Sequence, residues 1–240
     1  MRRKQTASPA RTRGLRRPAS SRSGRPARDA ASLTDRAYAH LEELIVTLKI
    51  PPGTPVSEAA LSKKLAIGRT PIREALQRLA RERLVNILPR RGIIVSGINI
   101  PAQLRLLEVR RVLERLVARS ASRRATAEER AQFSELAATF EHAAATGDET
   151  GFMRTDRAFN ELCLVAARNE FAAGAMSLMN SLSRRFWFLH YRQAADMPLA
   201  GKLHAAVAHA IAEGNASAAA KASDALIDYI EAFTRTSEAP

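Results

Sequence analysis

The sequence predicts a mainly α-helical protein with two folded parts. The front part, residues 32–98, contains three stretches of helical apolar spacing followed by two short strand-like runs around a turn. The rear part, residues 99–240, has helical spacing and no strand pattern, which suits a bundle of six or seven helices. Residues 1–31 are rich in Arg, Ser, Pro and Ala without a repeating apolar face, so we expect a disordered basic tail there. Residues 32–98 are called the front domain below, and residues 99–240 the rear domain.

The first helix of the front domain is predicted over residues 34–49, with Thr34 as its cap. Its apolar side chains recur on one helix face: Tyr38, Leu41, Leu44, Ile45 and Leu48. The run Pro51-Pro52-Gly53 then ends the helix, because proline and glycine both disfavour its continuation.

Two short helices follow, separated by a break at Gly68. Glu58 begins the first of them. Its apolar positions have helical spacing: Leu61, Leu65 and Ile67. Thr70 followed by Pro71 predicts a new start, with the Thr70 hydroxyl as cap and proline as the first helical residue. The second helix turns Ile72, Leu76 and Leu79 inward and leaves a polar outward face: Arg69, Thr70, Arg73 and Gln77.

A β-hairpin is predicted after these helices. Its strand-like runs are Val85–Leu88 and Ile93–Val95, and they flank Pro89-Arg90-Arg91-Gly92. A helix-turn-helix followed by such a wing is typical of proteins that bind double-stranded DNA.

The chemistry of each residue type predicts its DNA contact. Arg69 and Arg73, one helical turn apart, can each donate two parallel hydrogen bonds to a guanine edge. Thr70 can donate to a phosphate at the helix start, and the wing-tip arginines can reach phosphates or the minor groove. The predicted DNA-binding residues are Glu58, Arg69, Thr70, Arg73, Gln77, Arg90, Arg91 and Gly92. The alternative is that these arginines only solubilise a helix surface.

The charge distribution independently favours a nucleic-acid partner for the front of the chain. Residues 1–30 carry a net charge of +9 and residues 31–98 carry +5, whereas residues 99–240 are neutral, which accounts for the whole excess of +14. Phosphate neutralisation needs such an excess. The neutral rear domain must therefore have another role.

Composition excludes other classes. The chain has no run of about 18 consecutive apolar residues, so we expect no membrane span. Met1-Arg2-Arg3-Lys4 is not followed by an apolar segment before Leu33, so we expect a cytoplasmic protein. The lone Cys163 excludes an intramolecular disulfide and is expected to be a small core residue. The basic tail either holds DNA non-specifically or results from a start codon assigned too early.

The first helix of the rear domain is predicted from about Ala102, after a hinge at Asn99-Ile100-Pro101. Its predicted apolar face is Leu106, Val109, Leu113, Leu116 and Val117. Thr126 with Glu129 predicts a capping box that opens a helix to about residue 145.

Further helices complete the rear domain. Gly147-Asp148 begins one that runs to about residue 166. The others lie near residues 170–195, 197–213 and 216–235, the last two separated by Gly214-Asn215. In the first of these, residues 184–189 (Arg-Arg-Phe-Trp-Phe-Leu) either line a cavity or partner face or belong to an ordinary amphipathic core helix.

The front domain resembles the winged helix-turn-helix of GntR-superfamily transcription regulators over roughly residues 34–96. The residues that carry the resemblance are Leu61, Gly68-Arg69-Thr70-Pro71-Ile72-Arg73-Glu74-Ala75-Leu76, Arg78-Leu79 and Pro89-Arg90-Arg91-Gly92. Two positions depart from the family pattern. Gly68 stands where Ser or Thr is usual, and Arg83 stands where Gly is common.

The rear domain resembles the FCD effector domain of FadR-like GntR regulators over roughly residues 101–235. The matching segments, in order, are residues 108–114, 156–160, 168–169, His204 and 210–215. The resemblance implies a domain that dimerises and binds a small effector.

Many FCD domains bind a divalent metal through an Asp, a His four residues later and two further His on the last two helices. The matching positions here are Asp156, Asn160, His204 and Leu226, so two of four ligands are missing. We therefore expect no required cofactor, with Asp156 and His204 as the remaining candidate ligands of a divalent metal.

Arg110 is the predicted anchor for the carboxylate of a small organic-acid effector, because guanidinium binds carboxylate with two parallel hydrogen bonds. Asp156, Asn160 and His204 are the predicted neighbours of the effector. The alternative is that Arg110 only pairs with Asp156 or Glu114.

Three functions follow from these patterns. The first is a homodimeric transcription regulator, a repressor, that binds a pseudo-palindromic operator and responds to a metabolite. The second is an architectural DNA-binding protein whose rear domain only dimerises. The third is an enzyme that uses Asp156 and His204, which the lack of a nucleophile–base arrangement, phosphate loop or complete metal set in the sequence disfavours.

Overall fold

The structure is a computed structural model that describes residues 32–194 and 196–237. The predicted basic tail, residues 1–31, lies outside the described residues. The front domain contains, in chain order, α1 (Leu33–Val46), β1 (Pro55–Val56), α2 (Glu58–Leu65), α3 (Arg69–Arg81), β2 (Val85–Leu88) and β3 (Gly92–Val95). The rear domain contains α4 (Ile100–Arg124), α5 (Ala127–Thr146), α6 (Glu149–Ala167), α7 (Glu170–Ser177), α8 (Asn180–Ala194), α9 (Met197–Ala212) and α10 (Ala216–Thr236). The predicted fold class is confirmed.

The wing is a three-stranded antiparallel sheet in the order β1-β3-β2. The predicted hairpin is present, and Val85 pairs with Val95 at its base. The sequence did not predict β1, which pairs Val56 with Ile93. Two residues are too short to show the alternation that identifies a strand, and a neighbouring edge supplies the pairing.

The predicted caps of two helices are each wrong by two residues. Ser32, not Thr34, caps α1, since its hydroxyl accepts a hydrogen bond from the N–H of Asp35 at 3.0 Å. The N-cap of α3 is Gly68, and Thr70 lies inside the first turn. Pro71 is then the third helical residue and has no N–H, so a side-chain cap at position 68 would lack one of its usual targets.

The front domain packs around α3. Ile72, Leu76 and Leu79 are buried as predicted, and they meet Leu41 of α1 and Val95 of β3. The predicted outward residues of α3 are all exposed. Because the apolar face of α3 is fixed in the core, its polar face is held toward solvent.

The rear domain follows its predicted capping signals. Thr126 and Glu129 form the capping box, and Asp148 caps α6. The predicted segment 170–195 is two helices, α7 and α8, so the described part of the rear domain has seven helices. Cys163 is buried in the core, where burial raises the pKa of its thiol.

The start and the buried face of α4 differ from the prediction. Asn99 caps the helix, so the expected hinge is its first turn. Leu107 and Val117 are buried, but Val109 and Leu116 are 51% and 45% exposed, with Val112 beside them at 68%. The amphipathic pattern identified the helix, but part of its apolar face is left uncovered by this chain.

The helices of the rear domain cross closely. At Gly201 of α9, a Cβ atom would lie 2.9 Å from the backbone oxygen of Phe140 on α5. That contact is shorter than a real Cβ tolerates, so glycine permits the approach of α9 and α5. Within the described ranges, no helix is long and apolar enough to cross a membrane.

Candidate functional site

The polar face of α3 is the first candidate site. Arg69, Thr70, Arg73 and Gln77 all project into solvent from the first turns of the helix. The four side chains share one face because the opposite face is locked into the core of the front domain. The arrangement can offer several donors to a groove that is wide enough for a helix.

Glu58 holds Arg73 in place. Two guanidinium nitrogens of Arg73 donate to the two carboxylate oxygens of Glu58, at 2.9 and 2.8 Å. This hydrogen bonding lowers the pKa of the Glu58 carboxyl and keeps it ionised at neutral pH. Glu58, predicted to contact DNA, is paired with Arg73 in the structure, so its carboxylate holds the position of that guanidinium.

The hairpin turn presents Arg90 and Arg91 to solvent. Arg90 has φ of +62° and Gly92 has φ of +88°, and the N–H of Arg91 donates to the carbonyl of Leu88 at 3.1 Å. Glycine at position 92 meets the conformational requirement of this tight turn without strain. The turn therefore places both arginines at the tip.

A cavity of about 320 Å³ is the second candidate site, lined mainly by helices of the rear domain and also by Tyr38, Glu42 and Arg78 of the front domain. The four residues predicted to bind effector all line it, although they come from three helices: Arg110 from α4, Asp156 and Asn160 from α6, and His204 from α9. A volume of this size suits a small metabolite.

Asp156 and His204 form the polar centre of the cavity. His204 Nε2 lies 3.4 Å from Asp156 Oδ1, and Nδ1 donates to the carbonyl oxygen of Ala200 at 2.8 Å. Both ring nitrogens of His204 therefore face acceptor oxygens. Burial by itself would raise the pKa of Asp156, but the contact with His204 and the charge of Arg110 outweigh it and hold that pKa below its usual value.

Arg110 is engaged within its own helix. Its Nε donates to Glu114 Oε1 at 2.6 Å, and a second guanidinium nitrogen contacts the same carboxylate. The side chain is buried, so this pair supplies much of the charge compensation that burial requires. The structure thus contains the Arg110–Glu114 pair, and the positive charge of Arg110 also lowers the pKa of Asp156.

The residues of the cavity do not fit a zinc-type centre. Asn160 Nδ2 donates to Asp156 Oδ1 at 3.0 Å, and Leu226, which lines the same cavity, has no donor atom for a metal. The described residues contain no group of three or more His, Cys, Asp or Glu side chains placed to hold an ion. One carboxylate and one imidazole make an incomplete ligand set for zinc.

Comparison with known proteins identifies both domains. Residues 33–95 match the bacterial regulatory proteins of the gntR family, and residues 105–229, more than half of the chain, match the FCD domain. The chain belongs to the GntR family. The rear domain is its FCD domain.

Several bacterial transcription regulators align with this chain. The galactonate operon transcriptional repressor of Escherichia coli (strain K12) is 29% identical over 218 residues, which cover 81% of this chain and 93% of the repressor. The HTH-type transcriptional repressor RspR, also of Escherichia coli (strain K12), is 36% identical over 90 residues, which cover 38% of this chain and 40% of RspR. Two HTH-type regulators, from Streptomyces ambofaciens and Agrobacterium vitis, are matched over only 26% and 40% of their length.

The fold as a whole has a solved counterpart. The structure of E. coli McbR/YncC superimposes with a TM-score of 0.75 at 17% identity, over 86% of this chain and 99% of that one. At this identity the likeness concerns the fold alone. It spans the winged front domain together with the FCD domain.

The sequence missed the residues that join the two domains of this GntR protein. Glu42 of α1 is buried, and it accepts hydrogen bonds from Ser181 and Arg184 of α8, each at 2.9 Å. Arg184 also lines the FCD cavity. The sequence analysis singled out residues 184–189, but their pattern did not predict which helix Arg184 and Arg185 would contact.

Arg185, the next residue of α8, holds the end of the wing. Its guanidinium donates to the carbonyl oxygens of Ser96 and Gly97, at 3.0 and 3.2 Å. Burial lowers the pKa of Arg185 to about 10, so the group stays charged at neutral pH. Helix α8 therefore contacts the front domain at α1 and at the exit of β3.

Proposed function

We propose that this GntR-family protein is a sequence-specific DNA-binding transcription repressor whose operator affinity changes when a small carboxylate occupies the FCD cavity. The observation that carries the proposal is the polar face of α3, which projects free of the core. The neighbouring cavity gives that face a means of control. The alternative, an architectural DNA-binding protein, gives the cavity no role.

The DNA-binding part of the proposal assigns one task to each group. Arg69 and Arg73 bind guanine edges in the major groove, with Glu58 fixing the angle of Arg73. Thr70 donates to a phosphate beside the helix start. Gln77, one turn further along, borders the groove, and the hairpin tip, Arg90, Arg91 and Gly92, meets the flanking backbone.

The uncovered side of α4 supports a homodimer. Val109, Val112 and Leu116 form an exposed stripe along one face of the helix. A two-fold operator needs two DNA-binding domains, and the stripe belongs to the FCD domain, outside the elements proposed to contact DNA. We propose that the stripe packs on the same stripe of a second chain. Val112→Glu should then give a monomer in light scattering.

The proposed effector is a hydroxylated carboxylate bound without a metal. The cavity offers arginine side chains for the acid and polar neighbours, such as Asn160 and His204, for hydroxyls. The galactonate operon repressor aligns over most of this chain, and galactonate is a hydroxylated carboxylate. A metal is not needed in this proposal, because the cavity residues do not complete a ligand set.

The test starts from a pool of random duplexes, because the operator is unknown. The full-length protein should enrich a two-fold sequence. Arg73→Ala should lose discrimination at one base pair per half-site by roughly tenfold to a hundredfold. Arg91→Ala should instead weaken all sequences nearly equally. Enrichment of no sequence by the wild type, or unchanged discrimination by Arg73→Ala, would refute the DNA-binding assignment.

A further inference from the structure

Helix α8 holds buried polar atoms that have no hydrogen-bond partner within the described residues. They are Asn180 Oδ1, Ser183 Oγ, Arg184 Nε, Arg185 Nε and His190 Nδ1. Buried polar groups in folded proteins are nearly always paired, and exceptions point to a missing ligand or water. Asn180, Ser183 and Arg184 line the FCD cavity, so α8 is the wall of the cavity with unmet hydrogen bonds.

Arg184 has a guanidinium edge available to a ligand, and Arg110 does not. Nη1 of Arg184 donates to Glu42, Nη2 is 3.7 Å from Glu43, and Nε has no partner in the described chain. In Arg110, by contrast, Nε and Nη2 both contact Glu114. A carboxylate binds arginine best across two adjacent nitrogens. The Nε–Nη2 edge of Arg184 is therefore the better pair of donors for a carboxylate.

The same guanidinium is one of the contacts that hold the front domain. Its partner Glu42 lies on α1 and is buried with Ser181 against it. A second carboxylate on one guanidinium competes with the first, because both draw on one positive charge at short range. Binding in the cavity and the contact with α1 are thereby linked.

We propose that Arg184 receives the carboxylate of the effector on its Nε–Nη2 edge, that Asn180 and Ser183 take effector hydroxyls, and that this binding weakens the contact of Arg184 with Glu42 and so changes how α1 holds the DNA-binding face. The proposal rests on the proposed function, since it names the residue that senses the effector. In this proposal Arg184, and not Arg110, binds the carboxylate of the effector. Effector binding and the contact with α1 are coupled because both use the guanidinium of Arg184. By linkage, DNA and effector then alter each other's affinity by the same factor.

The experiment uses the single tryptophan of the chain as a reporter. Trp187 lines the cavity and packs against Phe152 and Phe233, so its fluorescence reports occupancy directly. Galactonate is the probe, and galactose, which lacks the carboxylate, is its control. Each variant is titrated with both compounds, and its affinity for the selected duplex is measured by anisotropy with and without galactonate.

Arg184→Met should weaken galactonate binding by about tenfold or more and abolish its effect on duplex affinity. Glu42→Gln should tighten galactonate binding several-fold, because it removes the competing charge while an amide oxygen still accepts from Ser181. Arg154→Met, on the exposed side of α6 and outside the cavity lining, is the matched control and should behave as wild type.

The outcomes separate this inference from the proposed function. If galactonate binds and changes duplex affinity in the wild type, but Arg184→Met leaves both unchanged while Arg110→Met abolishes them, the assignment to Arg184 is wrong and the regulator remains. If galactonate changes neither fluorescence nor duplex affinity in the wild type, the effector part of the proposed function fails together with this inference. Tighter binding in Glu42→Gln with a lost response in Arg184→Met would support it.

Discussion

The front domain and the FCD domain hold their charged groups in opposite ways. On α3, Arg69 and Arg73 stand in water, and the partner of Arg73 is a surface carboxylate that itself stays hydrated in part. In the FCD cavity, Arg110 is buried and Asp156 is nearly so, and each has a partner inside the protein. A surface arginine can exchange water for a new partner at little cost, whereas a buried one must first give up an old partner.

Under the proposed function, this difference suits the two sites to different tasks. A DNA-binding face has to be available to many sequences during search, which exposed, weakly engaged donors allow. A sensing cavity has to convert occupancy into a change elsewhere, which happens when the ligand replaces an internal contact. Helix α8 lies between the two, with Arg184 in the cavity and its carboxylate partner on α1.

The largest expected effect is on the core that forms the cavity. Phe140 packs edge-on against Phe152 and Phe159 and lies 4.8 Å from the ring of His204. Phe140→Ala should lower the free energy of unfolding by about 3–5 kcal/mol, because it leaves a cavity beside the polar centre. Urea unfolding followed by Trp187 fluorescence measures the loss.

The matched control for this variant is Phe171→Ala, since Phe171 is 81% exposed. Its substitution should change the unfolding free energy by no more than about 0.5 kcal/mol. Equal losses of unfolding free energy in Phe140→Ala and Phe171→Ala would contradict the assignment of Phe140 to the buried core and of Phe171 to the surface.

A metal site should be recoverable, because the cavity already places the four positions together. Asn160→His with Leu226→His adds two imidazoles to Asp156 and His204. The double variant should bind zinc and gain about 2.7 kcal/mol of stability when free zinc exceeds the dissociation constant about a hundredfold. Thermal shift with and without zinc, and elemental analysis, give the result.

Asn160→His alone is the control for the recovered site and should gain much less. The wild-type protein should tolerate a chelator with little change in melting temperature. Stoichiometric metal in the wild-type protein, lost in Asp156→Ala, would show that the cavity needs the ion after all.

Acid should separate the buried carboxylate from the exposed ones. The pKa of Asp156 is below its ordinary value in the folded protein, so its stabilising contribution is complete above the unfolded pKa of about 3.9 and is lost as pH falls toward the folded pKa. Asp156→Asn lacks this dependence. The unfolding free energy of the wild type should therefore fall more steeply below about pH 4 than that of the variant.

The control for the acid experiment is Glu161→Gln, because the Glu161 side chain is 66% exposed. Its profile should parallel that of the wild type. Parallel profiles for Asp156→Asn and wild type would mean that the cavity carboxylate is no better stabilised than a surface one.

The smallest expected effect concerns Arg83, which follows α3. Its φ of +59° lies in the left-handed region, where side chains other than glycine are strained. This explains why the family commonly has Gly there. Arg83→Gly should stabilise the front domain by about 0.5–1 kcal/mol, measured by urea unfolding, and a loss of stability would contradict it.

The sequence was most informative where a pattern is local. The capping box of Thr126 and Glu129, the inward face of α3 and the hairpin strands depend on neighbours within a few residues along the chain. Spacing alone therefore predicted them. The polar face of α3 follows in the same way, because a helix with one buried face necessarily exposes the other.

Local pattern was insufficient where a choice depends on distant partners. Thr34 was a plausible cap, but its hydroxyl donates to Glu74, forty residues away, while Ser32 caps the helix. The apolar residues of α4 were identified, but the tertiary packing decided which of them this chain covers. Strand β1 exists because β3 offers it an edge.

By itself, the sequence determined the mainly helical architecture, the hairpin and the exposed arginines of α3, because each depends on residue type and short spacing. The two missing metal ligands were identified through the resemblance to FCD domains. Only the tertiary structure decided the partners of the buried charges: Arg110 with Glu114, Asp156 with His204, and Arg184 with Glu42. The physical reason is desolvation. A buried charge must be paired, and several carboxylates compete for each arginine until the packed helices bring one of them within reach.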